Sequence, residues 1–131
     1  MTTFDTLRIG GSSLFVHRKW MDAVSDNIAN INTVNPAGED AFQERMVVAQ
    51  AVDYGSGEGG VRVARAEYGS AEGRLVHEPD HPLADANGYV RYPNVRITDE
   101  MVDLMDARRV FEANATVFQS AKQMLRRAID I

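Results

Sequence analysis

No Pro or Gly interrupts the chain between Thr98 and Ile131, and that unbroken stretch constrains the rest of the fold most. Stepping by sevens from Leu104 reaches Phe111, Phe118 and Leu125, and a neighbouring row reads Val110, Val117, Met124 and Ile131. Ala107, Ala121 and Ala128 form a third, small row that Asn114 interrupts. Residues at this spacing share one broad face of an α-helix. From Ile97 to the end, at about 1.5 Å per residue, such a helix is roughly 45–50 Å long. Asp99, Glu100 and Asp103 crowd its start and Arg126 and Arg127 lie near its end, a polarity that complements the helix dipole.

A second long helix is expected from Phe4 to about Ile31. Leu7, Leu14, Met21 and Ile28 recur every seven residues, with Gly11, Val24 and Ile31 close to that face. Gly10 and Gly11 each weaken a helix by about 1 kcal/mol relative to Ala. They also permit a neighbouring backbone to approach closely, and both readings hold together. The helix closes on an Asn-rich run that contains Asn27, Asn30 and Asn32, and Pro36 prevents it from continuing. These amides either terminate the helix or hydrogen-bond to neighbouring elements or subunits. Trp20, beside Met21, reads as a packing or interface residue.

Between the helices, short β-like runs at Met46–Val48, Val61–Val63, Leu75–Val76 and Tyr89–Tyr92 are separated by Gly-rich or Pro-rich turns. Asn87-Gly88 is a hairpin-type turn signal. The fold expected is therefore mainly α with a small β region. Residues 1–34 and 97–131 supply long helices that pack as an antiparallel, coiled-coil-like domain, and residues 35–96 form a short-stranded β and loop segment. The middle segment is too small to cover two helices of this length. Part of the C-terminal stripe is then left for partner helices.

The net charge of −5 argues against nucleic acid and against an anionic membrane surface. With 44% hydrophobic residues the chain is not disordered, and without Cys it makes no disulfide or thiolate metal site. The first residues lack the basic and apolar regions of a cleavable signal peptide. His77-Glu78-Pro79-Asp80-His81 spells the H-E-x-x-H pattern of zinc proteases, but that chemistry needs both imidazoles on one helical face. Pro79 and Pro82 oppose a helix there. Gly55 to Gly60 satisfies G-x-G-x-x-G, yet Val61-Arg62-Val63 after it is strand-like, where a dinucleotide site needs a helix. No catalytic, cofactor or metal residues emerge, and no small-molecule substrate is implied.

Gly88 to Val95, followed by Glu100 to Met105 and Ala107 to Asn114, resembles bacterial flagellar basal-body rod proteins, the proximal rod subunits in particular. The ending from Met124 and the run Ser25 to Thr33 fit the same family, and Asp80 to Asp85 resembles the proximal subunits. Phe111 stands where the family usually has Tyr, Asp26 replaces a more usual Ser, and Trp20 takes a commonly basic position. The family motifs single out the polar residues Asn27, Asn30, Asn32, Arg109, Glu112 and Asn114. The resemblance implies a non-enzymatic subunit of the periplasmic drive shaft, without cofactor, exported through the flagellar type III apparatus with no cleaved signal. Partners implied are the other proximal rod proteins, the distal rod, the inner-membrane (MS) ring and the export gate, besides self-association. Leu104, Phe111, Phe118 and Leu125 are expected against Leu7, Leu14, Met21 and Ile28, in the same or an adjacent subunit. Asn114 is a candidate for a register-setting hydrogen bond. Competing readings are a soluble coiled-coil adaptor and a zinc hydrolase using His77, Glu78 and His81.

Overall fold

The computed structural model describes residues 2–130. Ile131, the last member of the second apolar row, lies outside the described residues. Helix α1 spans Thr3–Ala29. Thr2 caps it: its hydroxyl accepts the Asp5 N–H at 3.2 Å, while the Asp5 carboxylate accepts the Thr2 N–H at 2.7 Å and the Thr2 hydroxyl at 2.9 Å. This reciprocal box satisfies amides that the first turn leaves without partners. The Thr2 N–H, with the Thr2 hydroxyl next, holds the Asp5 carboxyl below its ordinary range. At the other end Asn30 turns the chain, its backbone and side-chain N–H groups both donating to the Asp26 carbonyl at 3.1 and 2.8 Å. Helix α2 covers Ile97–Ile129, unbroken as its sequence requires.

The strands form two separate antiparallel sheets where a single small unit was expected. β2 (Arg45–Gly55) and β3 (Glu58–Tyr68) make a two-stranded hairpin with arms far longer than the Val-rich cores that signalled them. Ala49, Gln50, Ala64 and Glu67 are poor strand formers, and pairing across the hairpin overrides that preference. The turn explains why: Ser56 and Gly57 both take left-handed backbone, with φ of 58° and 77°. Two such residues give the turn whose twist matches the flanking strands.

The other sheet has the order β1 (Asn35–Pro36), β5 (Tyr89–Tyr92), β4 (Arg74–His77). Pro36 opposes Val90 from an edge strand, where its missing N–H costs no ladder bond. Val76 opposes Val90 from the other side, and Val90 is wholly buried. Asn87-Gly88 makes a turn, but not a two-residue hairpin: it closes the wide loop of residues 78–88. Asp85 organises that loop, its carboxylate accepting the N–H groups of Asn87 and Tyr89 at 2.9 Å each. The H-E-x-x-H letters lie here on a strand end and turns. His81 Nδ1 accepts the Leu83 N–H at 3.0 Å, and the Glu78 carboxylate accepts the Tyr92 hydroxyl at 3.1 Å. No helical face brings them together.

The chain divides into two compact units. The first comprises residues 1–22, 47–65 and 105–131, and the second residues 23–46 and 66–104. In the first, the Ser12 hydroxyl accepts the Val61 N–H at 3.1 Å and Arg8 pairs with Glu58 at 3.1 Å, so the hairpin is tied to α1. In the second, residues 41–44 run beside the bend at 69–73, joined by the bonds of Ala41 N–H to the Ala71 carbonyl and Gly69 N–H to the Glu44 carbonyl, at 2.8 and 2.7 Å. The Arg91 guanidinium donates to the carbonyls of Ala37 and Glu72 and so staples the bend at 69–73, and the chain just after β1, to β5.

Gly73 is the position least able to change. Its φ is +55°, and a Cβ there would collide with the Tyr92 carbonyl oxygen and the Ala41 side chain. We expect Gly73→Ala to destabilise the chain by more than about 2 kcal/mol, measured by chemical denaturation.

Candidate assembly surface

In the first unit, the residues at the centre of the seam between α1 and α2 are small. Ala107 and Ala121 are fully buried on α2, as are Gly10 and Val16 on α1. The Phe118 ring lies against Gly10 and Gly11, at 3.8 Å from where a Cβ would stand on either. One aromatic plug therefore fills the space that the glycine pair leaves. Four positions back along α2, Asn114 donates its side-chain N–H to the Ser13 hydroxyl at 2.7 Å. Because Gly10 faces Phe118 and Ser13 faces Asn114, the two stretches run in opposite directions here. His17 is held nearby by the Ser13 carbonyl at 2.8 Å.

The two large rows predicted for α2 part company. Leu104, Phe111, Phe118 and Leu125 are half-buried, and so are Leu7, Leu14, Met21 and Ile28 of α1. Val110, Val117 and Met124 face outward, Val117 being 51% and Met124 62% exposed. Met105 and Ile129 are bare on other faces of α2 in the same unit, and Phe4 and Phe15 are bare on α1. Single exposed aliphatics are ordinary, but a row at helical period is a surface suited to burial against another helix. Arg109 and Glu112 are also exposed, Glu112 accepting from Arg108 at 2.8 Å. Side chains that point away from the seam in this way are available to neighbours.

In the second unit the Asn-rich run separates into roles. Asn27 is almost wholly buried. Its Oδ1 accepts the Arg45 N–H at 2.8 Å, and its Nδ2 donates to the Arg45 carbonyl at 2.9 Å and to Glu100 at 3.1 Å. Asn30 is a helix stop, and Asn32 is exposed. The two readings of these amides are thus both realised, at different positions. Asp26, the departure from the usual Ser, pairs with the Arg45 guanidinium at 2.8 Å. The sequence reading missed Glu100 as an interior residue, because three acidic residues at a helix start read as solvated. The apolar neighbours Met101 and Val102 were the only hint, and they are exposed. Among the described residues no group of acidic and imidazole side chains is placed to hold a metal ion, and no helix is long and apolar enough to cross a membrane.

The family model described as flagellar basal body rod FlgEFG protein C-terminal matches residues 86–131. Over its whole length the chain is similar to proteins named flagellar basal-body rod protein FlgC. It is 37% identical to that of Salmonella typhimurium, covering 100% of this chain and 98% of the relative. The protein of Borreliella burgdorferi is 35% identical, with 100% and 98% covered. That of Bacillus subtilis is 34% identical, with 100% and 99% covered.

The Asn114–Ser13 bond joins distant parts of the chain through partly buried atoms. Asn114→Ala should cost about 1 kcal/mol in thermal or denaturant unfolding. A double-mutant cycle with Ser13→Ala should return a coupling on the order of 0.5–1.5 kcal/mol.

Proposed function

The chain belongs to the flagellar basal-body rod protein FlgC family, and we propose from that membership how its surfaces build a rod. It is a structural subunit of the flagellar basal body, and it assembles with other rod and basal-body components. The observation that carries the mechanism is the bare row Val110, Val117, Met124 on α2, beside a seam already closed by small residues. Each large aliphatic side chain fully buried against a neighbour contributes on the order of 1.5–3 kcal/mol. A row of them on a stiff helix gives a contact that resists sliding, which is what a shaft under torque requires.

In this reading residues 1–34 and 97–131 form an inner, antiparallel coiled-coil-like domain, and residues 35–96 form the outer region. Leu7, Leu14, Met21, Ile28, Leu104, Phe111, Phe118 and Leu125 pack the domain and its edges against adjacent subunits. The polar residues Asn27, Asn30, Asn32, Arg109, Glu112 and Asn114 set its register and contacts. Subunits polymerise through the terminal helices into the proximal part of the periplasmic drive shaft, enclosing the export channel. The neighbours are the other proximal rod proteins and copies of this chain, the inner-membrane ring and export gate below, and the distal rod above. The subunit reaches this place through the flagellar type III apparatus, and it performs no catalysis.

The bare row separates assembly from folding. Val117→Asp and Met124→Asp should each change the monomer's unfolding free energy by less than about 0.5 kcal/mol, because both positions are exposed. In cells lacking the native protein, each should abolish rod assembly and swimming. Phe118→Asp should lose monomer stability as well. Normal motility of the Val117→Asp and Met124→Asp strains would refute the assignment of this face.

A further inference from the structure

Helix α1 has an outer face of its own. Phe4 and Phe15 lie on one side of it, 70% and 58% exposed, about three helical turns or roughly 16 Å apart. Arg18 and Lys19, both exposed, follow about one turn later on that side. Lys19 Nζ is 5.7 Å from the centre of the Phe15 ring, so cation and aromatic share one patch. The bare row of α2 carries the opposite charge at one end. Asp106 is exposed one turn before Val110 on the same side, and Val117 and Met124 follow. Among the described residues Arg18 and Lys19 pair with no carboxylate, and Asp106 with no cation.

Laid antiparallel, as the stretches around Ser13 and Asn114 run within the chain, these two faces fit each other. With Arg18 and Lys19 on Asp106, Phe15 falls on Val110, and Phe4 falls between Val117 and Met124. The charges select that register. Sliding by one turn in one direction sets Phe15 on Asp106, and in the other it sets Lys19 on Val110. Asp22 comes next on the face of α1 and would meet Asp103, so the contact ends at the ion pair. Within one chain α1 and α2 already meet through Gly10 and Phe118, so the outer faces are left for a second copy. We propose that the bare row of α2 docks on the outer face of α1 of a second copy, in this one register. The inference rests on the assembly reading above and names the partner of that face. Because the contact joins two different surfaces, each copy keeps one face free at either end, and copies add head to tail.

The chain has no cysteine, so introduced thiols are the only ones present. Lys19→Cys with Asp106→Cys in one chain keeps every apolar side chain of the contact, and an exposed ion pair is worth too little for its loss to prevent assembly. Oxidation with copper phenanthroline, both in basal bodies and in the concentrated purified full chain, should give a ladder of dimers and larger species. The two single variants together should give dimers and nothing larger, and each by itself only monomer. Lys19→Cys with Ala113→Cys, about 10 Å out of register, should lower the yield roughly tenfold. Dimers from a single variant would overturn the head-to-tail contact, and monomer alone from the Lys19→Cys, Asp106→Cys chain in both preparations would overturn the pairing. If the pairing fails while Val117→Asp still abolishes rod assembly, the bare row meets a different protein, and only this inference falls.

Discussion

Asn27 occupies a place where only a side chain that donates and accepts at once can stand. Arg45 begins β2, and its backbone N–H and carbonyl both turn to the Asn27 amide. Asn27 thus serves as a strand partner at a point where the hairpin supplies none. A buried polar group left without a partner costs about 1–3 kcal/mol, so losing this amide would strand Arg45 and Glu100 together. The direction in which the chain leaves the end of α1 and enters β2 follows from this one residue. An aliphatic of the same size would fill the volume and satisfy nothing.

The first unit solves a different problem. Its seam relies on closeness, with Ala107, Ala121 and Gly10 letting two helical stretches meet and Phe118 filling what the glycines leave open. Gly10 and Gly11 weaken α1 locally, and the ring packed on them offsets that cost. A seam built on small residues is narrow. It uses one side of the α2 stripe and leaves the other bare, which divides a single amphipathic helix into an internal contact and an external one. Asn114 sits on the internal side, and its bond to Ser13 makes sense of the interruption in the alanine row.

The helices were legible because their periodicity is long and only Gly10 and Gly11 count against it. Both ends also obey local rules, the Thr2–Asp5 box at one and the Asn30 turn at the other. The strands were legible only in their Val-rich centres, since Ala, Gln and Glu join the hairpin for reasons that lie across the turn. Ser56 gives no signal of its left-handed backbone until its neighbours are known. Sevenfold spacing found the half-buried residues Leu104, Phe111, Phe118 and Leu125. That row was the one expected to face α1; that Val110, Val117 and Met124 stay bare depends on which neighbouring row is small enough to bring α1 close. The interior position of Glu100 was hidden for a similar reason: its partner Asn27 is remote in sequence.

Trp20, half-buried on α1, is the chain's only tryptophan, and its ring stands 6.0 Å from that of His17. It belongs to the first unit, and the second unit has none. The molecule therefore carries a built-in optical probe confined to one half of its structure. Indole emission follows the surroundings of α1 beside the small-residue seam, and no tryptophan of the second unit adds to it. Ordering of the first unit during assembly can be watched by itself, without a label that would occupy the very faces under study.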